Sequence, residues 1–156
     1  MSKIKELYNR LKENGLLDKD VLIPTGLAIA SHTIAGYPTG GDWNNMLYST
    51  IPPVDSITHF LGGYAVSQII DKLYEPLSRK YESVKKISKD KFVIGTSLAL
   101  GGLNEIGEKI ATSIPGMEIF YEPVENSIKD LFVDAGGILT QRYVSRKRKN
   151  PDKSVI

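Results

Sequence analysis

Asp55 and His59 stand four residues apart, Glu105 and Glu108 three, and Asp130 and Asp134 four. On a helix each spacing puts both side chains on one face, about a turn apart. Carboxylates with an imidazole suit zinc, manganese or iron, and a set richer in carboxylates also suits magnesium. A pair of such ions positions water against a phosphoryl or acyl group for hydrolysis. In that chemistry Glu105, Glu108, Asp130 and Asp134 hold one or two divalent metals. His59 is a further metal ligand or the general base, and Asp55 orients it from one turn away. Two other chemistries fit the same residues. One is a proton relay, for which Asp, Glu and His chains are suited. The other is a structural polar core in which Lys109 and Lys129 neutralise the acids.

Other site types lack their signatures. The chain has no Glu-x-x-His pair of the di-iron carboxylate bundles and no His-Glu-x-x-His. It has no Gly-x-Ser-x-Gly elbow and no phosphate-binding P-loop. With no cysteine, disulfides and thiolate metal sites are excluded.

The elements that must position these residues are read from charge and apolar patterning. Of the 20 Lys and Arg, five lie in residues 1–20, seven in 71–91 and six in 142–153. None lies in 33–56 or 112–127. Between these zones run four segments rich in apolar and small residues, 21–37, 56–73, 92–112 and 127–144. Composition alone fits a four-helix bundle in water, with amphipathic helices and solvated charges. The segregation of Lys and Arg argues instead for four membrane passes, since translocated short loops lose their basic residues. The expectation is therefore an all-α protein: a four-transmembrane-helix bundle at 21–144, preceded by a cytoplasmic amphipathic helix within 1–20 and followed by a basic tail at 145–156. Both termini are cytoplasmic in this reading, and the protein is integral to the cytoplasmic membrane and multi-pass.

In detail, residues 2–14 form an amphipathic helix with Ile4, Leu7, Tyr8 and Leu11 on one face, stopped by Gly15. Helix one runs from Val21 to Gly36, with Pro24 in its first turn. Helix two runs from Asp55 or Ser56 to Tyr74 and is broken by Pro76. Helix three covers Lys91 to Thr112. Helix four starts near Glu125 and ends in the basic tail. Loops 37–55 and 115–125 are aromatic and lack Lys and Arg, as outer boundary loops should.

This topology puts the ionisable groups in one layer. At ~1.5 Å per residue, His32, His59, Glu105, Glu108, Asp130 and Asp134 all fall within ~4–11 Å of one boundary of the bundle. The other halves of the helices are expected to be poorly supplied with polar groups beyond Ser67, Gln68, Asp71, Thr96, Ser97, Thr140 and Gln141. Gly62, Gly63, Gly136 and Gly137 read as packing residues that let helix backbones approach.

At these residues the chain resembles a known family. Asp55-Ser-Ile-Thr-His59-Phe60 followed by Gly62-Gly63 is similar to the Asp-x-x-x-His-Phe opening of VanZ-like membrane proteins. Asn104-Glu105-Ile-Gly-Glu108 resembles the Glu-x-x-Glu or Glu-x-x-Gln step on their third helix, with the acid at Glu108 closer to a related set of uncharacterised small polytopic membrane proteins. Asp130-Leu-Phe-Val-Asp134-Ala-Gly136-Gly137 resembles their fourth. The match spans residues 55–144 of 156 and leaves His32 outside it. The low hydrophobicity and the long segment 37–55 depart from the family. The resemblance implies a small polytopic bundle with a polar cluster near one membrane face. It also implies a link to the cell envelope and glycopeptide tolerance, and names no reaction.

The functional expectation is a metal-dependent hydrolase of a lipid or lipid-linked envelope substrate, using zinc, manganese, iron or magnesium. The alternative is a non-catalytic binding, resistance or assembly subunit, or a proton-linked transporter. Expected partners are membrane lipids, a lipid-linked substrate and further copies of the chain. No nucleic-acid partner is expected.

Overall fold

The computed structural model describes residues 3–35, 51–112 and 124–149. Among them are six helices and no strand: α1 (Lys3–Glu13), α2 (Lys19–Ala35), α3 (Pro52–Lys80), α4 (Glu82–Lys85), α5 (Lys89–Thr112) and α6 (Val124–Lys149). The all-α expectation holds. The segments 36–50 and 113–123, which contain most of both expected outer loops, lie outside the described residues, as does the tail beyond Lys149.

Local sequence explains most boundaries. Gly15 ends the first helical segment with φ +69°, a left-handed conformation that glycine adopts without a steric penalty. Pro52 and Pro53 open α3, where a missing N–H costs nothing. Two prolines behave differently from expectation. Pro24 lies past the first turn, because α2 begins at Lys19. Pro76 does not break α3, which continues to Lys80. Its surroundings are pinned: the Tyr74 hydroxyl donates to the Ile87 carbonyl at 2.8 Å, and the Tyr74 ring tilts against Phe92. These contacts hold the α3–α5 turn in place despite the ladder bond that Pro76 removes.

α3 is the central helix. It packs against α2, α5 and α6, and α5 packs against α6. Gly63 and Gly137 mark the closest crossing. A Cβ on Gly63 would collide with the Asp134 backbone, and one on Gly137 with the backbone of Phe60 and Tyr64. Two glycines thus let α3 and α6 touch main chain to main chain.

The interior of this bundle is polar. Among the described residues the buried apolar side chains are Val21, Ala35, Ala65, Ile70, Val93 and Ile138. The buried polar ones are more numerous and include Ser67, Gln68, Asp71, Ser97, Glu105, Asp130, Asp134, Gln141 and Arg142. Conversely, Leu27, Ile29, Leu103, Ile106, Phe132 and Leu139 are all more than half exposed. That inverts the usual arrangement.

The expected membrane spans do not stand. Among the described residues no helix is long and apolar enough to cross a membrane. The apolar α2 has 17 residues, where a span takes about 20. α3, α5 and α6 are longer, but they carry Asp55, Asp71, Lys72, Glu105, Lys109, Lys129, Asp130, Asp134 and Arg142 along their lengths. The basic zones that suggested alternating loops meet at one end of the bundle, where acids partner them. Lys72 pairs with Asp18 at 2.9 Å and Asp20 at 3.4 Å. Lys89 pairs with Asp71 at 3.2 Å. Arg142 joins Asp71 and Asp90, and Arg146 also binds Asp90. The multi-pass, integral-membrane expectation is corrected because, among the described residues, no helix is long and apolar enough to cross a membrane.

Candidate metal centre

Three helices build the site. α3 supplies Asp55 and His59, α5 supplies Glu105, and α6 supplies Asp130 and Asp134. The i, i+4 spacing on α3 and on α6 aims each pair across the same interface. The glycine crossing one turn further along fixes the separation. Gly101 of α5 completes the fit: a Cβ there would sit 3.0 Å from the Asp134 Oδ2.

His59 is at the centre. Its Nε2 faces the Asp55 Oδ1 at 3.6 Å and the Asp130 Oδ2 at 3.9 Å. Its Nδ1 faces the Asp134 Oδ1 at 3.5 Å and the Glu105 Oε1 at 4.0 Å. Each ring nitrogen thus belongs to a group of three potential ligands, Asp55–His59–Asp130 and His59–Glu105–Asp134. Asp130 is fully buried, Glu105 and Asp134 are buried, and Asp55 and His59 are partly buried.

These separations are longer than the ~2.7–3.2 Å of a good hydrogen bond. They lie close to the ~3.4 Å that separates two donor atoms around a tetrahedral ion with bonds of ~2.1 Å. The donor set, one imidazole nitrogen and two carboxylate oxygens in each group, is one that zinc, iron or manganese accepts.

Electrostatics keep His59 protonated. Burial alone would lower its pKa, but the Asp134 carboxylate beside Nδ1 and the charges of Asp130 and Asp55 outweigh it. Together they raise it from 6.5 to about 9. Lys129 is the second cation. Its Nζ lies 2.8 Å from the Asp55 Oδ2 and 3.3 Å from the Asp130 Oδ1. Burial opposes its charge, and the bond to Asp55 more than compensates, so its pKa is raised. Asp55, Glu105, Asp130 and Asp134 thus face His59, and Asp55 and Asp130 also face Lys129.

The structure brings together Asp55, His59, Glu105, Asp130 and Asp134. Glu108 is on α5 one turn past Glu105, but its side chain lies outside the described residues. His32 is exposed on α2 and is not part of either group of ligands. Lys129 neutralises acids as one reading of the sequence had it, and Lys109 is half-buried on α5.

A second polar centre, which the sequence reading described as poorly supplied, occupies the other half of the bundle. Ser67 donates to the Gln141 Oε1 at 2.9 Å, Gln141 donates to the Gln68 Oε1 at 2.6 Å, and Gln68 donates to the Asp20 Oδ2 at 2.8 Å. Beyond them Arg142 is buried between Asp71 and Asp90. The missed signal was Arg142, which the sequence pattern counts only with the basic zone 142–153. It lies one residue after Gln141 and eight after Asp134, within the buried face of α6.

Comparison with known proteins finds no family model, no curated protein and no solved structure that matches this chain.

Proposed function

We propose that the His59-centred cluster is a divalent-cation site and that the chain is a metal-dependent hydrolase. The observation that carries this reading is the double facing of His59. Both ring nitrogens lie 3.5–4.0 Å from carboxylate oxygens of three different helices, a spacing suited to shared coordination and too long for good hydrogen bonds. The candidate ligands form two groups, His59 with Glu105 and Asp134 on the Nδ1 side, and His59 with Asp55 and Asp130 on the Nε2 side. A bound ion of this kind supplies an acidified water and a Lewis acid for an ester or anhydride oxygen. Asp55 holds the Nε2 side of the ring and shares Lys129 with Asp130, which fixes the lysine at the edge of the site.

The substrate class we assign is an amphiphile, a lipid or lipid-linked ester. Ile57, Phe60, Ile106, Ile128 and Phe132 are exposed at the same level of the bundle, on the three helices that build the cluster. Such apolar surface beside a polar site fits a ligand with an apolar chain and a polar head. The resemblance to VanZ-like proteins, with their link to the cell envelope, supports the same class.

A second reading is favoured by the raised His59 pKa. The imidazolium is itself the cation of the cluster, and the layer is a structural ion-pair core of a non-catalytic binding or assembly subunit. Elemental mass spectrometry of the chain, purified without chelator and then incubated with zinc, manganese or iron, separates the two. Near-stoichiometric metal that falls in Glu105→Gln and Asp134→Asn supports the site. No retained metal, or equal retention in both variants, defeats it.

A further inference from the structure

We propose that α1, together with the basic end of the bundle, is a docking surface for an anionic lipid bilayer, with α1 lying flat on it. This inference stands apart from the metal reading and uses none of its residues.

α1 has no buried residue. Its apolar side chains are left uncovered: Ile4 is 80% exposed, Leu7 57% and Tyr8 53%. They recur at i, i+3 and i+4, with Leu11 at i+7, so they form one stripe. At about 100° per residue, the polar positions sort around that stripe in a definite order. Lys3 and Arg10 border one edge, and Lys5 and Lys12 border the other. Glu6, Asn9 and Glu13 occupy the opposite side. Lysine and arginine on both borders can extend their stems along an apolar layer and place their charges among phosphates, Arg10 by exchanging its exposed ion pair with Glu6 at 2.6 Å for a phosphate.

The adjoining end of the bundle is basic on balance. Glu13 and Asn14 of the α1 end line a cleft in which Lys72, Arg79, Lys89, Arg148 and Lys149 outnumber the acids Glu13, Asp20, Asp71 and Glu75. Lys80, Lys86 and Lys147 add exposed charge, and Lys85 is exposed beside Glu82 at 3.3 Å. A polybasic surface beside an amphipathic helix is what anionic headgroups attract, at about fivefold in affinity per basic residue near the surface. A nucleic acid would use the charges but gives the Ile4–Leu7–Tyr8 stripe no partner. A protein groove would take the stripe but does not require basic residues along both of its edges.

The test uses the full chain and extruded vesicles of phosphatidylcholine, with and without a quarter of phosphatidylglycerol. Because the chain has no cysteine, Ile4→Cys offers one attachment point for an environment-sensitive fluorophore. We expect a blue shift with the anionic vesicles, little with the neutral ones, and weakening as salt rises. Leu7→Asp should cost about tenfold or more in vesicle affinity. Lys3→Glu with Lys12→Glu should cost at least about twentyfold, and this pair keeps the test valid should Leu7→Asp disturb folding by circular dichroism. The proposal is overturned by an unshifted fluorophore, or by vesicle binding that both variants retain. Equal affinity for a single-stranded oligonucleotide, or a self-association that Leu7→Asp abolishes without vesicles, would replace it with another partner.

Discussion

Gly63 of α3 lies against the backbone carbonyl of Asp134 on α6, with no room for a Cβ between them. The contact is one turn from His59, and Asp134 is itself one of the carboxylates facing that ring. The main-chain crossing therefore sets the width of the site.

Gly63→Ala and Gly137→Ala are expected to force α3 and α6 apart. Overpacking of this kind costs about 1–3 kcal/mol, and both variants should lower the denaturant midpoint. Gly95→Ala is the control. Nothing lies within 4 Å of a Cβ at that position, so the better helix propensity of alanine should leave stability unchanged or raised by up to about 1 kcal/mol. Equal effects at all three positions would show that the crossing is not the constraint.

The site was legible because its residues repeat at helical spacing. Asp55/His59 and Asp130/Asp134 announce one face each, and a common height on antiparallel helices brings the faces together. The helices were legible for the same reason, to within a few residues. What failed was the inference from charge to environment. Lys72, Lys89 and Arg142 were counted in the basic zones 71–91 and 142–153 as a topology signal, but in the structure they are paired with Asp18, Asp20, Asp71 and Asp90, and three of those acids belong to other helices. Partners so distant in sequence cannot be read from local periodicity. Pro76 misled in a similar way, since the Tyr74 contacts that hold its surroundings come from beyond the helix.

Arg142 and Arg146 both bind Asp90, yet they should differ sharply on removal. Arg142 is buried and also holds Asp71, whereas Arg146 is largely exposed. Removing one member of a buried pair costs about 3–5 kcal/mol, while an exposed pair is worth about 0–1 kcal/mol. Lys89 remains to Asp71 at 3.2 Å, which puts Arg142→Met at the lower end, about 3 kcal/mol. Arg146→Gln should stay within about 1 kcal/mol. Urea unfolding of the two variants is the measurement.

The stability of the fold should depend on pH through His59. Its folded pKa of about 9 lies above its ordinary 6.5. The protonated ring therefore contributes fully below about pH 6.5, and the contribution disappears as pH rises through about 9. Asp55, Glu105, Asp130 and Asp134 are the acids that face it, and Lys129 is a further cation beside Asp55 and Asp130. The wild-type midpoint should fall between these limits. His59→Asn should lose most of that slope, and an identical slope in both proteins would place the titration elsewhere.

Metal binding should then compete with that proton. A ligating imidazole must be neutral, so each ion that uses His59 displaces one proton while the ring is mostly charged. Apparent zinc affinity is expected to rise about tenfold per pH unit from pH 7 towards 8.5, and to level off near 9. Calorimetry in buffers of different ionisation enthalpy should show about one proton released per ion over the same range. The structural reading makes the opposite demand: an imidazolium that is already the cation of the layer leaves no ion to bind at any of these pH values. A pH-independent affinity would mean that the ion uses carboxylates alone, and would remove His59 from the ligands while leaving Glu105, Asp130 and Asp134 in place.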